Sequence, residues 1–334
     1  MKEKRNNGEI KILVTRNIPV IGIEMLRKEG FSVSAWPHER PMTEEELITE
    51  SKKHNVILCV SADNIGTGFL NECSHLEMIS QFAVGYDNID LPLATKLGIP
   101  IGYAPGAMNE ATADTAFGLM IAVARKFFYM HKGILKGEWT YFKPNANLGI
   151  ELNNKTLGIF GLGRIGLAMA RRCKGAYNMN VIYCNRNPNT EAEKLYGAKK
   201  VSFDELLQQS DVISVHSVMS KETKEIFNKD AFNKMKSTSI FINTARGGIH
   251  NENDLLDALN NKIILGAGLD VTNPEPMKAD NPLLEMENVC ILPHIGSATI
   301  EARNEMSRMA AENIISYYKN NTVPNIVNPE VLKK

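Results

Sequence analysis

Three polar residues near the carboxyl end of the chain could together carry out acid–base chemistry. Arg246, Glu275 and His294 each follow closely on a short apolar run. A guanidinium can anchor a carboxylate and polarise a carbonyl, and an imidazole can give a carbonyl oxygen its proton. A carboxylate can orient that imidazole and favour its protonated form. Each residue alone is compatible with an ordinary surface or core position, but their order favours reduction of a 2-keto acid by hydride from a nicotinamide.

A glycine-rich stretch in the middle of the chain predicts where that nicotinamide would bind. Residues 156–166 read T-L-G-I-F-G-L-G-R-I-G, and small and apolar residues at helical spacing follow. In a strand–turn–helix unit, Gly161 permits the tight turn, Gly163 lets the backbone approach a pyrophosphate, and Gly166 lets helix and strand pack closely. The phosphates would then face free N–H groups at the positive end of the helix. A glycine-rich turn of another α/β unit is the weaker interpretation.

The residues after the next strand predict which dinucleotide is preferred. Asn185 stands where an NAD site usually carries an acidic residue for the ribose, and Arg186 follows it. Loss of the negative charge removes repulsion against a 2′-phosphate, and a planar guanidinium can bind that phosphate. We expect NADP(H) to be preferred, while NAD(H) use stays open because Arg186 could also be a surface residue of a site that takes both dinucleotides.

These residues need a scaffold of alternating strands and helices. In residues 1–106 we predict strands at 12–14, 31–35, 56–60, 78–82 and 99–102, with helices at 21–27 and from Thr43. A long helix is predicted from a cap at Asn109 to about Lys132, and seven further strands follow Thr156, at 156–160, 180–184, 200–201, 211–215, 239–242, 263–269 and 289–292, before a final helix at 300–319. Such alternation predicts parallel sheets. The fold class is therefore α/β, with two Rossmann-like/flavodoxin-like doubly wound domains and an interdomain cleft.

Composition limits the function classes. Lys plus Arg and Asp plus Glu both number 38, so zero net charge gives no support for nucleic-acid binding. The chain starts with polar residues, and its longest apolar run, 117–124, is short of the roughly 18 residues of a membrane span. Five scattered cysteines lack metal-site spacing and indicate reduced thiols. We expect a cytoplasmic protein that binds no metal, nucleic acid or membrane.

Several motifs together resemble the D-isomer-specific 2-hydroxyacid dehydrogenase family over nearly the whole chain. They are Gly158–Gly166, Asn243–Gly247, Gly268–Val271, Pro274–Pro276 and Leu292–Ala298. Within this family the chain is most similar to glyoxylate/hydroxypyruvate reductases, on the grounds of Ala83–Asn88, Asn185–Arg186 and the segments 291–299 and 303–307.

The resemblance implies a split substrate domain, 1–107 with 300–334, around a cofactor domain, 108–299. It implies Arg246 as substrate anchor, Glu275 as partner and His294 as acid/base, and a homodimer in which Trp139 lies in an arm that crosses to the second copy. The implied substrate-binding residues are Val84, Gly85, Arg246, His294 and Ser297. The implied cofactor-binding residues are Thr115, Gly161, Gly163, Arg164, Ile165, Asn185, Arg186, Ser217, Thr244, Ala245, Asp270 and Gly296. From local chemistry alone, Gly85 could bind an anion or form a plain turn.

One departure and several alternatives accompany this resemblance. Val218 stands where many members have proline, and valine in place of proline would loosen the turn on the adenine side.

The leading hypothesis is reduction of glyoxylate and hydroxypyruvate to glycolate and D-glycerate. A 2-ketogluconate reductase or another D-2-hydroxyacid dehydrogenase is the nearest alternative. Formate dehydrogenase ranks low because that enzyme has Gln where Glu275 stands, and 3-phosphoglycerate dehydrogenase because it usually has Asp at position 185. A non-catalytic NAD(H)-sensing protein is a further alternative, since fold alone does not decide function.

Overall fold

The computed structural model describes residues 9–333 and divides them into two units. One contains the described residues up to Met108 and those from Ala298, and the other is Asn109–Ser297. The polar start of the chain, on which the cytoplasmic expectation rests, lies outside the described residues. The assignment of substrate to one unit and cofactor to the other, with boundaries at 107 and 299, stays a prediction.

The first unit is built on a five-stranded parallel sheet in the order β2-β1-β3-β4-β5, the flavodoxin-like arrangement. Its helix α2 begins with a capping box in which Thr43 and Glu46 bond reciprocally to each other's backbone amides. Alternate residues of β1 and β3 enter two separate cores, one on each face of the sheet. The elements are β1 (Lys11–Val14), α1 (Val20–Lys28), β2 (Ser32–Ala35), α2 (Glu44–Ser51), β3 (Val56–Cys59), α3 (Thr67–Glu72), β4 (Met78–Gln81), α4 (Leu91–Lys96) and β5 (Ile101–Gly102).

The second unit holds a seven-stranded parallel sheet in the order β12-β11-β10-β9-β6-β7-β8. Counted within the unit, its first six strands have the Rossmann order 3-2-1-4-5-6. The order reverses between β6 and β9, and ligands of open α/β sheets bind at the carboxyl ends of strands at such a point. The elements are α5 (Asn109–Ala124), α6 (Phe127–Leu135), β6 (Thr156–Phe160), α7 (Arg164–Tyr177), β7 (Asn180–Cys184), α8 (Thr190–Tyr196), β8 (Lys199–Lys200), α9 (Phe203–Gln209), β9 (Val212–Val215), α10 (Lys229–Lys234), β10 (Ile240–Asn243), α11 (Glu252–Asn260), β11 (Gly266–Leu269) and β12 (Val289–Ile291).

The last helix, α12 (Ile300–Asn320), returns the chain to the first unit. It packs on α1 and on strand β4. The Ser307 hydroxyl donates to the Pro19 carbonyl at 2.7 Å and accepts from the Gly22 amide at 3.1 Å. A Cβ at Gly22 would lie 2.3 Å from the Ser307 carbonyl oxygen, so this close crossing requires glycine. The predicted return of the final helix to the first domain is confirmed.

The single long helix predicted from Asn109 to about Lys132 is wrong. The structure has α5 and α6, separated by Lys126 in the left-handed conformation with φ of 54°. The Ala124 carbonyl accepts from the Ile150 amide at 3.0 Å rather than from the next turn of helix. Asn109 is also the first helical residue rather than the cap before it. The two doubly wound parallel-sheet domains are confirmed, and the cleft stays a prediction.

Candidate active site

The glycine-rich turn connects β6 to α7 at the switch point of the second sheet. Gly161 has φ of 93°, and a Cβ there would lie 2.5 Å from the Ser217 backbone nitrogen. A Cβ at Gly166 would lie 3.0 Å from the Gly161 carbonyl oxygen. At Gly163, by contrast, an added Cβ would meet none of the described atoms within 4 Å. Packing therefore explains two of the glycines, whereas the third leaves open space in front of the helix N-terminus.

The side-chain amide of Asn185 stabilises this turn. The Leu162 amide donates to Oδ1 of Asn185 at 2.6 Å, and Nδ2 of Asn185 donates back to the Leu162 carbonyl at 3.1 Å. Asn189 donates to the same carbonyl at 2.9 Å. A carboxylate at position 185 could accept the first of these bonds but could not donate the second. The sequence-based prediction treated Asn185 as a position where the absence of a negative charge permits a 2′-phosphate, and it missed the role of this side chain in shaping the turn.

Two buried hydroxyls lie at the carboxyl ends of neighbouring strands of the same sheet. Ser217 follows β9 and Thr244 follows β10, and both were predicted to contact cofactor. Within residues 9–333, Ser217 Oγ and Thr244 Oγ1 are buried and have no hydrogen-bond partner. Buried polar atoms normally have partners, so partnerless hydroxyls at a strand edge are suited to a polar ligand. Together with the open space at Gly163, they fit a bound dinucleotide.

Further predicted cofactor residues lie at the start of α7, after β10 and within α5. Arg164 and Ile165 open α7, and Ala245 donates its amide to Oδ1 of Asn243 at 3.0 Å. The Thr115 hydroxyl donates to the Ala111 carbonyl at 3.1 Å within α5. At position 218, where a looser turn is expected, the Thr223 hydroxyl donates to the Val218 carbonyl at 2.8 Å and so closes the loop.

The three predicted catalytic residues come after three adjacent parallel strands. Arg246 follows β10, Glu275 lies beyond β11 and His294 follows β12. Nδ1 of His294 lies 2.5 Å from Oε1 of Glu275, so Nε2 is the ring nitrogen left to act on a substrate. His294 has φ of 53°, a left-handed conformation that few residues adopt and that is frequent at functional sites.

The charges of this group influence one another. Burial raises the pKa of the Glu275 carboxyl, but the hydrogen bond and charge of His294, helped by the charge of Arg246, outweigh it and leave the pKa below its usual value. Glu275 is therefore ionised at neutral pH and can hold the imidazole. Because Arg246 contributes to this shift, its guanidinium lies in the same charged group.

Asp270 supports the loop that carries His294. Its carboxylate accepts the amides of Ile295 and Gly296, each at 2.7 Å. Burial raises the pKa of Asp270 against the effect of these two bonds. The Gly296 carbonyl in turn accepts the Thr112 hydroxyl at 3.1 Å. Asp270 and Thr112 thus fix the backbone directly after His294, and Thr112 was missed because an interior helical threonine gives no sequence signal.

Asn243 supports the loop that carries Arg246. Its Nδ2 donates to the Arg246 carbonyl at 2.9 Å and lies 3.0 Å from Nδ1 of His250. Burial lowers the pKa of His250 to about 4, so this ring is neutral at physiological pH and can accept that bond. Arg246 NH1 donates to the Ala245 carbonyl at 2.7 Å. Neither supporting residue was predicted.

The predicted substrate residues are divided between the two units. Ser297 is buried at the end of the second unit, whereas Val84 and Gly85 follow β4 in the first unit and are partly exposed.

Across residues 9–333, no helix has both the length and the apolar character needed to cross a membrane. In the same part of the chain, no group of three or more His, Cys, Asp or Glu residues could hold a metal ion.

Known proteins similar to this chain cover nearly all of it. Residues 117–296 match the family model described as D-isomer specific 2-hydroxyacid dehydrogenase, NAD binding domain. A glyoxylate reductase of Thermococcus litoralis is 40% identical over 326 residues, 96% of this chain and 98% of the relative. A probable 2-ketogluconate reductase of Dictyostelium discoideum is 39% identical over 331 residues, 99% of each chain. The crystal structure of an NADPH-dependent glyoxylate/hydroxypyruvate reductase from Sinorhizobium meliloti, in complex with NADP and malonate, has a TM-score of 0.81 at 28% identity and covers 95% of this chain and 96% of that one.

Proposed function

The chain belongs to the D-isomer-specific 2-hydroxyacid dehydrogenase family, an NAD(P)-dependent oxidoreductase family, and from this premise we propose that it reduces glyoxylate and hydroxypyruvate with NADPH. The products would be glycolate and D-glycerate. The observation that carries the proposal is the contact between His294 and ionised Glu275 in the charged group that includes Arg246. This group combines an acid, its orienting carboxylate and a cation suited to a substrate carboxylate.

Each side chain has one task in the proposed reaction. A bound reduced nicotinamide supplies the hydride that reaches the carbonyl carbon. Arg246 binds the substrate carboxylate and polarises the carbonyl, and Nε2 of His294 gives the carbonyl oxygen its proton. Glu275 holds the ring through Nδ1 and stabilises the positive charge that the imidazole carries before it gives up the proton. His294 then regains a proton from solvent before the next turnover.

The preference for NADPH is supported by positive charge beside the Gly-rich turn. Arg186 is exposed directly after Asn185, and the Lys200 ammonium donates to the Arg186 carbonyl at 3.0 Å. The negative charge of Glu222 opposes this attraction for a phosphate. The Ser220 hydroxyl lowers the pKa of Glu222 most and the charge of Arg186 contributes, so Arg186 and Glu222 interact. We therefore expect a preference for NADPH rather than exclusion of NADH.

We also propose that the enzyme is a homodimer. Large apolar side chains are exposed on α6 and after it, among them Leu135 at 75%, Trp139 at 76% and Phe142 at 83%. A cavity of about 490 Å³ lies among the residues from Tyr129 to Asn147. Exposed apolar surface of this kind marks an interaction site, and Trp139 lies in the arm expected to cross to a second copy. Light scattering after size exclusion should give twice the chain mass, and Trp139→Ser with Phe142→Ser should lower it; a wild-type monomer would refute the dimer.

Steady-state rates test the substrate and cofactor together. Glyoxylate, hydroxypyruvate, pyruvate and 2-ketogluconate are each assayed with NADPH and with NADH. We expect fast turnover of the first two with NADPH. Turnover of 2-ketogluconate alone would favour the second candidate, to which the Dictyostelium relative points. Equal rates with NADH would refute the 2′-phosphate argument, and bound cofactor without any turnover would favour a sensing protein.

A further inference from the structure

The loop after β4 in the first unit presents backbone donors. Val84 and Gly85 are partly exposed, and among residues 9–333 neither amide donates a hydrogen bond. Adjacent free N–H groups at the carboxyl end of a parallel strand can bind an anion. A flexible loop would lose much of this binding free energy in becoming ordered, so the affinity depends on what holds the loop.

The buried side chain of Gln81 is hydrogen-bonded to this loop. Its side chain is fully buried, and Nε2 donates to the Gly85 carbonyl at 3.1 Å and to Oδ1 of Asn88 at 2.7 Å. Oε1 accepts from the Cys59 thiol at 3.0 Å. Both amide protons and the amide oxygen are thus engaged, which fixes the orientation of the amide. A buried amide satisfied in this way specifies one arrangement of the groups around it.

Asn88 connects this loop to the loop after β3. Its Nδ2 donates to the Asp63 carbonyl at 2.8 Å, and its backbone carbonyl accepts the Ile65 amide at 2.9 Å. Asn88 is therefore bonded to Gln81 on one side and to the β3 loop on the other.

Asp63 extends the connection to the loop after β1. Its carboxylate is 2% exposed, accepts the Thr15 hydroxyl at 2.5 Å and the Val60 amide at 3.0 Å, and pairs with Arg16 at 2.8 Å. Three loops at one edge of the sheet are therefore joined by buried and partly buried polar side chains, none of which belongs to the predicted site.

We propose that Gln81 and Asn88 are positioning residues that hold the Val84–Gly85 loop in the conformation that receives the substrate carboxylate. The inference rests on the proposed function, because that function supplies the carboxylate. Gln81 and Asn88 touch neither substrate nor cofactor; they act through the Gly85 carbonyl and the turn that follows it. Their effect should therefore appear in substrate affinity and leave cofactor affinity unchanged.

The test compares Gln81→Met with Ser80→Ala. Methionine keeps the length and volume of Gln81 but removes both donors. Ser80 is the adjacent residue of β4, is fully buried on the opposite face, and donates to the Ala310 carbonyl at 2.8 Å. Both variants lose buried hydrogen bonds and should melt at lower temperature, but only Gln81→Met should raise the KM for glyoxylate, by about tenfold or more. The Kd for NADPH should stay at the wild-type value in both.

Asn88→Ala, at the partly exposed end of the connection, provides a second variant in case Gln81→Met does not fold. It should raise the same KM severalfold. Binding of oxamate, a non-reducible analogue of a 2-keto acid, is measured in parallel with NADPH present. Unchanged KM and oxamate affinity in folded variants would refute the inference while leaving the function intact. A wild-type protein that reduces no 2-keto acid, but whose oxamate binding weakens in the variants, would refute the function and retain the inference.

Discussion

Replacing Gly163 by alanine tests whether the Gly-rich turn binds a diphosphate. An added Cβ would meet no described atom within 4 Å, and the backbone has φ of −94°, which alanine adopts readily. The cost to the fold is limited to that of a poorer helix cap, about 1 kcal/mol or less. A phosphate oxygen at about 2.9 Å from an amide would be pushed to roughly 3.5 Å or beyond, where the bond is lost. One charge-assisted bond is worth about 1.5–3 kcal/mol, so the Kd for NADPH should rise roughly 10- to 150-fold.

Gly175→Ala is the matched control, because this glycine lies in α7 and is exposed, and a Cβ added there would meet no described atom beyond its own helix backbone within 4 Å. Its substitution should stabilise the helix by about 0.5–1 kcal/mol and leave NADPH binding unchanged. Gly161→Ala should instead destabilise the protein, because its Cβ would lie 2.5 Å from the Ser217 nitrogen at a φ of 93°.

Fluorescence titration with NADPH and thermal melting measure the two effects separately. If Gly163→Ala bound NADPH as tightly as Gly175→Ala and the wild type, the diphosphate would not lie against this turn, and the argument from open space would fail.

Four further predictions concern single side chains. His294→Gln should lower kcat by about 10²–10⁴-fold with near-normal Kd for NADPH, and unchanged turnover would refute its role as acid. Arg186→Ala should raise the KM for NADPH but not for NADH; an equal rise for both would exclude a 2′-phosphate contact. Because the pKa of Glu275 is lowered, its carboxylate stabilises the fold at any pH above its usual pKa of 4.5, and this contribution is lost as the pH falls through the lowered pKa. Glu275→Gln should therefore lower Tm at pH 7 and have little effect in acid. A loss of Tm that does not depend on pH would contradict this. Thr244→Val removes a buried, partnerless hydroxyl, so Tm of the cofactor-free protein should not fall, whereas NADPH should bind more weakly.

The architecture could be predicted because its signals are local. Apolar runs separated by helical segments indicate parallel strands, and all twelve strands of the structure overlap predicted ones. The weakest match is β8, which begins one residue before its predicted position and shares only Lys200 with it. Parallel strands end at a common edge, so polar residues directly after them, such as Arg246 and His294, are predicted to be neighbours. The same reasoning could not show that Glu275 reaches His294, since it lies on a loop whose path no periodicity encodes.

The long helix was wrong for a non-local reason. Residues 109–132 are apolar enough to continue as one helix, but the Ala124 carbonyl accepts a hydrogen bond from the Ile150 amide, which lies in a loop much later in the chain. The supporting residues escaped prediction for the same reason. Gln81 and Asn243 each lie at the last position of a buried strand, where an amide reads as an ordinary core polar group. Only the folded chain shows that each of them bonds a carbonyl in a predicted functional loop.

The position of Asn185 changes the argument for cofactor preference. From the sequence, the missing carboxylate and the adjacent guanidinium count as two independent reasons for NADP. In the structure the Asn185 amide is engaged with the Leu162 backbone through both its oxygen and its nitrogen. The two hydrogen bonds that shape the turn therefore explain why position 185 is asparagine, whichever dinucleotide binds. The preference for NADPH then depends mainly on Arg186 and the neighbouring Lys200, opposed by Glu222. A preference set by exposed charges is weakened by salt, so the ratio of NADPH to NADH affinity should fall as ionic strength rises, whereas a ratio fixed by Asn185 itself would change little.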